Sequence, residues 1–454
     1  MKYRDIAAAA AAVLCITIPV YANSGMTFWE GTDNTGVMTS DRDCPLTVTH
    51  EDLDLYIEGL PKTRYDSRED FLSYNSSLKA EYTFYNPSDM HVKAVLSFPL
   101  GKMPMYAYYD PDKESYDPAP EKIAGQYGIL VNGKEADVQL RGTYMGYDGF
   151  DFKKDITGLK DSYASHPFYR FDMPVTHYEF RIDDVDEKET AAAVKCRFEG
   201  DSSKTRLLFR PFNGGTFTDE YSEVQIWADE GKADLYVIGE DLDSVPEWKV
   251  VRSGDNDTEI SGEVTLISRD IMTLGEFVLS GYDGSWGIPE TDYCNAWIEM
   301  MGQSGSSMLA AEEFDLRSGT MLYWYQYAIE LDPHETLVNT VTAPLYLSID
   351  TGYEEPVYSY TYYLSPASTW KEFGTLDINL HTDLNLLECV PEQSEKTDEG
   401  YRISLPGLPE GELEFSVCTV QDPKKKPMKS GLPLPYLIVF TAVLIGLIIL
   451  IRKK

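Results

Sequence analysis

Carboxylates at alternating positions form the most regular chemical pattern in this sequence. One run lies between residues 110 and 117, and a second lies between residues 255 and 259. Oxygen ligands of this kind bind Ca²⁺, although neither run has both the sixth-position glycine and the twelfth-position glutamate of an EF-hand loop. Calcium is therefore the one cofactor that the sequence indicates. Its candidate ligands are Asp110, Asp112, Glu114, Asp117, Asp255, Asp257 and Glu259.

Aromatic side chains supply the other candidate binding groups. Tyr358, Tyr360 and Tyr362 alternate along one predicted strand, so their rings point to one face. Trp286 and Trp297 flank a glycine-rich break. Tyrosine and tryptophan combine a large apolar area with a polar tip, which suits a sugar ring or a protein strand. An exposed tyrosine ladder is one hypothesis, and ordinary cross-strand packing inside a core is the other.

Catalytic motifs do not stand out. The sequence has no His-Glu-x-x-His, no Gly-x-Ser-x-Gly and no histidine pair with metal-ligand spacing. Glycoside hydrolysis needs two carboxylates at a set separation. With 75 acidic residues, such a pair can be proposed almost anywhere in the chain. We therefore assign no catalytic residue.

The N-terminus has the pattern of a secretory signal peptide. Lys2 and Arg4 precede an apolar run that ends at Val20, and Ala22 is a small residue suited to signal cleavage. The apolar run is short for a membrane span, which is the alternative reading. We predict a signal peptide over residues 1–22.

The C-terminus has the pattern of a membrane anchor. Residues 432–451 carry no charge, and at about 1.5 Å per residue they span a hydrocarbon core of roughly 30 Å. Basic residues 452–454 predict a cytoplasmic tail, and residues 423–431 a stalk of lysine and proline. We predict a single-pass protein of the cell membrane with its N-terminal ectodomain outside. Cleavage by a wall-anchoring transpeptidase is the alternative, although Leu-Pro-x-Thr-Gly is absent.

Charge and composition exclude two classes of protein. The chain has 454 residues, with 39 basic and 75 acidic side chains and a net charge of −36. Such a chain repels phosphate backbones, which excludes nucleic acid as a partner. The 43% of hydrophobic residues suffices for a core and excludes global disorder.

An extracellular location permits disulfides. The cysteines are far apart and form no Cys-x-x-Cys pair, which argues against a zinc site. Cys389 and Cys418 are the predicted disulfide, since both fall on late strands close in sequence. Buried thiols that pack as small apolar residues are the alternative.

Alternating apolar and polar residues predict a mainly β protein, with one or two β-sandwich-like domains, a short helical insertion and the C-terminal transmembrane helix. We place a β-rich ectodomain at residues 23–285 and a second β-rich domain at residues 286–422, with the helix near residues 291–302. Residues 78–98 read as a hairpin around an Asn-Pro-Ser-Asp turn. Asn132-Gly133 predicts another hairpin.

Two runs resemble sequences that recur in one group of bacterial ectodomains. The first is Tyr82 to Leu100, and the second is Tyr362 to Ile378. The group is an uncharacterised family of single-pass surface proteins from Gram-positive, clostridia-like bacteria. The resemblance covers about a tenth of the chain, implies the same surface architecture and brings no known activity.

Three functions agree with these patterns. The leading hypothesis is a non-enzymatic surface protein for adhesion, or for binding a cell-wall polymer, a glycan or another surface protein. The second is an extracellular glycan hydrolase that uses paired carboxylates. The third is a structural ectodomain stiffened by calcium.

Overall fold

A computed structural model of the chain describes most of the predicted ectodomain. The described residues are 28–29, 34–35, 37–38, 44–60, 76–100, 124–145, 151–185, 191–198, 203–217, 221–253, 258–304, 308–310, 316 and 320–426. Strands dominate them, which confirms the mainly β prediction. No helix within these ranges has the length and apolar character to cross a membrane. The predicted signal peptide and the predicted anchor at 432–451 lie outside the described residues.

Residues 28–273 supply eight strands, a short helix and nine further strands. The first eight strands are β1 (Phe28–Trp29), β2 (Asn34–Thr35), β3 (Thr47–Tyr56), β4 (Ser77–Tyr85), β5 (Val92–Pro99), β6 (Gly128–Val131), β7 (Lys134–Glu135) and β8 (Gln139–Tyr144). Helix α1 (Phe152–Asp155) follows. The next nine strands are β9 (Pro174–Asp183), β10 (Ala192–Phe198), β11 (Thr205–Arg210), β12 (Gly214–Phe217), β13 (Ser222–Trp227), β14 (Lys232–Gly239), β15 (Trp248–Arg252), β16 (Thr258–Glu259) and β17 (Glu263–Thr273).

Two helices then separate these strands from the remaining ten. They are α2 (Leu274–Leu279) and α3 (Glu290–Ser304), so the predicted helix near residues 291–302 is observed. The last ten strands are β18 (Met308–Ala310), β19 (Met321–Leu331), β20 (Thr336–Pro344), β21 (Ser348–Asp350), β22 (Val357–Tyr363), β23 (Phe373–His381), β24 (Asn385–Val390), β25 (Glu395–Thr397), β26 (Gly400–Leu405) and β27 (Leu413–Cys418).

The largest sheet has eight strands in the order β25-β26-β23-β3-β4-β20-β6-β7. Strands β3 and β23 lie parallel, and the other neighbours are antiparallel. A sheet of six strands (β1-β21-β22-β27-β24, with β2 beside β22) and a sheet of three (β5-β19-β8) share its hydrophobic core. Strands from both sides of the predicted boundary after residue 285 therefore belong to the same sheets.

A second core lies between two five-stranded sheets, β12-β13-β10-β15-β16 and β17-β9-β14-β11-β18. Alternate residues of the second sheet face opposite ways. Tyr178 and Leu235 pack into this core, whereas Val175 and Ile238 pack into the first one. The sheet that contains β9 and β14 thus joins the two cores.

The hairpin predicted over residues 78–98 is wrong. Strand β4 pairs with β3 and β20, whereas β5 pairs with β19 in a different sheet. The buried amide of Asn86 ties the end of β4 to the end of β19, because its Nδ2 donates to the carbonyls of Leu331, the last residue of β19, and of Asp332. The Asn132-Gly133 turn is observed between β6 and β7, with both residues at positive φ.

A buried ion pair fixes α3 against β8. Arg141 donates from Nε and Nη2 to the two carboxylate oxygens of Asp292, at 2.7 and 2.8 Å. Both side chains are buried. Gln326 and the backbone carbonyl of Lys160 accept further bonds from Arg141, so the guanidinium is well satisfied.

The first residues of the predicted stalk contact the folded part of the chain. Lys426 donates from Nζ to the carbonyl of Thr351 at 2.9 Å, and Lys425 lies over the ring of Tyr353. The rest of the predicted stalk, from residue 427, lies outside the described residues.

Candidate functional site

The prediction of an exposed tyrosine ladder is wrong. Tyr358, Tyr360 and Tyr362 are 4%, 3% and 1% exposed, because β22 lies between β21 and β27 and turns these side chains into the main core. The ring of Tyr360 stacks on Phe415, and the hydroxyl of Tyr362 lies 3.1 Å from that of Tyr82. Cross-strand packing, the alternative hypothesis, describes these residues.

The two predicted tryptophans also serve the core. Trp297 is 2% exposed and meets the rings of Tyr169 and Phe277 edge-on. Trp286 is half-buried and packs edge-on against Tyr293. They do not form a common surface for a ligand.

The calcium candidates fall mostly outside the described residues. Asp110, Asp112, Glu114, Asp117, Asp255 and Asp257 are not described. Glu259 is described, and its carboxylate accepts a bond of 2.8 Å from Lys249.

The predicted disulfide is not formed. In the pair of β24 and β27, Cys389 lies opposite Phe415 and Cys418 lies opposite Asn385. The register therefore separates the two thiols along the strands. Cys418 is buried, and Cys389 is half-buried with a pKa that burial raises to about 11.

The strongest polar surface lies on the outer face of the eight-stranded sheet. On β3, Leu53 and Leu55 point into the core, so Asp52, Asp54 and Tyr56 point outward. Strand β23 has the same alternation, and its parallel register sets each outward residue beside one of β3. The facing pairs are Thr375 with His50, Asp377 with Asp52, Asn379 with Asp54 and His381 with Tyr56.

At one end of this face, Asp54, Tyr56 and His381 form what we call the open Asp-Tyr-His group. The rings of Tyr56 and His381 stack with their centroids 4.5 Å apart and 8° between their planes. Nε2 of His381 lies 2.9 Å from Oδ1 of Asp54, which also accepts a bond from Asn379. Among the described residues, no ring other than that of His381 packs on Tyr56.

An open cleft of about 320 Å³ adjoins this group. Its lining contains carboxylates, one guanidinium and a phenol, so it can accept hydrogen bonds from hydroxyl groups and donate to oxygen atoms. The lining residues are Asn379, Leu380, His381, Thr397, Asp398, Glu399, Tyr401 and Arg402.

At the other end of the face, His50, Asp52 and Asp377 bring their polar atoms together. Nε2 of His50 lies 2.9 Å from Oδ2 of Asp52 and 4.0 Å from Oδ2 of Asp377. The hydroxyl of Ser404, and then the guanidinium of Arg402, hold the pKa of Asp377 below its usual value.

Behind this face, β3 carries a buried carboxyl group. Glu51 is 1% exposed and lies 3.4 Å from the hydroxyl of Tyr362. Burial raises the pKa of Glu51 to about 7, despite hydrogen bonds from Tyr82 and Tyr362 that lower it.

A second Asp-Tyr-His group lies on β9 and β14. The rings of His177 and Tyr236 stack at 4.4 Å and 8°, and Nε2 of His177 lies 2.8 Å from Oδ1 of Asp234. Here the ring of Phe277, from α2, packs on Tyr236 at 4.8 Å. We call this the covered Asp-Tyr-His group, because the chain's own helix occupies the outer side of its tyrosine.

Sequence reasoning missed both groups. A signal was present, since Asp54-Leu55-Tyr56 and Asp234-Leu235-Tyr236 are the same tripeptide. The histidines could not be found in this way, because His381 lies 327 residues from Asp54.

Comparison with known proteins does not assign the chain to a family. No protein-family model and no curated protein matches the chain. Among solved structures it is similar to a crystal structure of a proposed nutrient binding protein from Legionella pneumophila, with a TM-score of 0.34 and 10% identity over 86% of this chain and 72% of that one. A match this weak carries no argument about function.

Proposed function

We propose that this chain is a membrane-anchored extracellular protein whose β-rich ectodomain binds a sugar-containing ligand, a cell-wall polymer or a surface glycan, without catalysing a reaction. Residues 1–22 would direct export, and residues 432–451 would hold the protein in the membrane. The charge of −36 agrees with a partner other than nucleic acid.

One observation carries the binding part of this proposal. The chain builds the Asp-Tyr-His group twice, and in the covered group the ring of Phe277 packs on Tyr236. In the open group no described ring other than that of His381 packs on Tyr56, and His381 lines the cleft. The open group therefore offers a flat aromatic surface on which the apolar face of a ligand ring can pack. Hydrogen-bonding groups surround this surface.

A sugar fits this surface by its two kinds of contact. The C–H face of a pyranose ring is apolar and can pack on the stacked rings of Tyr56 and His381. Its hydroxyls can donate to the carboxylates of Asp398 and Glu399 and accept from Arg402. A few placed polar groups around an apolar surface are typical of ligand sites.

The test measures binding of the full chain, in detergent, to a panel of soluble oligosaccharides and cell-wall polymer fragments. For any probe that binds, Tyr56→Ala and His381→Ala should each weaken affinity at least tenfold. Lys93→Ala is the control, because Lys93 is 61% exposed on β5 and pairs with Glu330. Binding by none of the probes, or unchanged binding by Tyr56→Ala, would contradict the proposal.

A further inference from the structure

Three metal-ligating atoms converge at the His50 end of the sheet face. Nε2 of His50 and one carboxylate oxygen each of Asp52 and Asp377 all lie within 4.8 Å of one another. A tetrahedral ion with bonds of about 2.0–2.2 Å holds its ligands about 3.3–3.6 Å apart. The observed separations of 2.9 and 4.0 Å from His50 bracket that spacing, so small side-chain rotations suffice to close the site.

The backbone brings these residues together. The register of β3 against β4 shifts between Val48 and His50, which leaves Thr49 unpaired on that side. Beside it, Gly374 lets β23 approach closely, because a Cβ there would lie 2.0 Å from the carbonyl oxygen of Thr49. The parallel register then sets Asp377 next to Asp52. The site thus rests on paired strands beside a register shift, and not on a loop.

Neighbouring hydroxyl groups orient two of the three ligands. A metal ion on Nε2 of His50 would replace the hydrogen bond between Nε2 and Oδ2 of Asp52, and Nδ1 would then donate to Oγ1 of Thr375, which lies 2.7 Å away. The hydroxyl of Ser404 donates to Oδ1 of Asp377, which leaves Oδ2 facing His50. Metal sites use outer hydrogen bonds of this kind to fix their ligands.

We propose that His50, Asp52 and Asp377 bind one divalent transition-metal ion, with Zn²⁺ as the first candidate. One imidazole and two carboxylates suit Zn²⁺ better than the all-oxygen shell that Ca²⁺ prefers. Three protein ligands leave an outward position for water or for a group of a bound ligand. The three ligands do not line the cleft of the proposed sugar surface, although Arg402 both lines that cleft and contacts Asp377. The proposal does not depend on sugar binding.

Arg402 competes with a metal ion at this site, which gives the proposal a testable consequence. Its Nη2 lies 3.1 Å from Oδ2 of Asp377, the oxygen that would bind the ion, and its side chain is 51% exposed. The guanidinium therefore competes with the metal for this carboxylate and can move into solvent. Removing its charge should strengthen metal binding.

The experiment is titration of the metal-free full chain with Zn²⁺ by calorimetry. His50→Gln and Asp377→Asn should each weaken affinity at least tenfold, whereas Arg402→Gln should strengthen it severalfold. His91→Gln is the matched control, because the two nitrogens of His91 face different carboxylates, of Asp332 and Glu330, and cannot share one ion with both. Wild-type affinity in His50→Gln, an equal loss in His91→Gln, or unchanged or weaker binding in Arg402→Gln would overturn the proposal.

Discussion

The open and covered Asp-Tyr-His groups have almost the same geometry in different surroundings. The ring stacking differs by only 0.1 Å, at 4.5 and 4.4 Å, although the open group joins two parallel strands and the covered group joins two antiparallel ones. In both, histidine lies directly opposite tyrosine in the register. The local geometry therefore follows from facing positions on neighbouring strands, whatever their direction.

What differs is the layer outside. In the covered group, Phe277 connects Tyr236 to Trp297, so the group becomes part of the main core. In the open group, His381 lines a cleft. The comparison teaches that a polar and aromatic group is structural where the chain supplies its own covering ring. It becomes a candidate binding surface where no described ring does so.

The largest expected effect concerns Glu51, which lies on the buried side of β3, behind the open Asp-Tyr-His group. Glu51 has a pKa of about 7 in the folded chain against 4.5 as its ordinary value, so between these pH values the folded state holds a proton that the unfolded state has lost. Stability should therefore fall by about 3 kcal/mol as pH rises from about 4.5 to 7.

Glu51→Gln should remove this loss, because the amide does not titrate. The measurement is urea unfolding of the full chain and of the variant at several pH values. Since Asp155 also has a raised pKa, of about 6, only the difference between the two chains is assigned to Glu51. Equal pH slopes in both would show that the carboxyl is not buried as described.

The next largest effect tests the comparison at the two tyrosines, Tyr236 and Tyr56. Tyr236→Ala should destabilise the chain by about 2–3 kcal/mol, because it leaves a hole beneath Phe277. Tyr56→Ala should cost about 1 kcal/mol, since no described ring packs on it from the side opposite His381. Urea unfolding measures both values. If the two losses are equal, the difference in covering does not exist.

The smallest effect concerns the aspartates. Asp234→Asn should cost about 1–2 kcal/mol, because the bond to His177 is charge-assisted and its side chain is 11% exposed. Asp54→Asn should cost less, since Asp54 is 19% exposed and keeps Asn379 as a second neighbour. Thermal unfolding of the two variants in parallel checks the order. A greater loss for Asp54→Asn would reverse the assignment of open and covered.

Local signals predicted the parts of the fold that depend on neighbours in sequence. The alternation of apolar and polar residues predicted strands with two faces, and β3 has them, with Leu53 and Leu55 buried between outward polar residues. Asn132-Gly133 indicated a tight turn, because both residues adopt positive φ at little cost. The helix near residues 291–302 was likewise predicted from the sequence.

Features that depend on partners distant in sequence could not be predicted. The alternation of Tyr358, Tyr360 and Tyr362 correctly placed the three rings on one face, but could not say that this face is buried. Cys389 and Cys418 fall on neighbouring strands, yet their register keeps the thiols apart. The side of a strand that meets the core is set by which sheet packs on it, and that contact joins segments hundreds of residues apart.

The sequence by itself determined that this is an acidic, mainly β chain, and it determined which residues alternate along each strand. Only the tertiary structure decided that β23 lies parallel to β3, which sets Asp377 beside Asp52 and His381 beside Tyr56. The physical reason is that side-chain alternation is a local property of an extended backbone, whereas strand partners are selected by the burial of apolar faces over the whole chain.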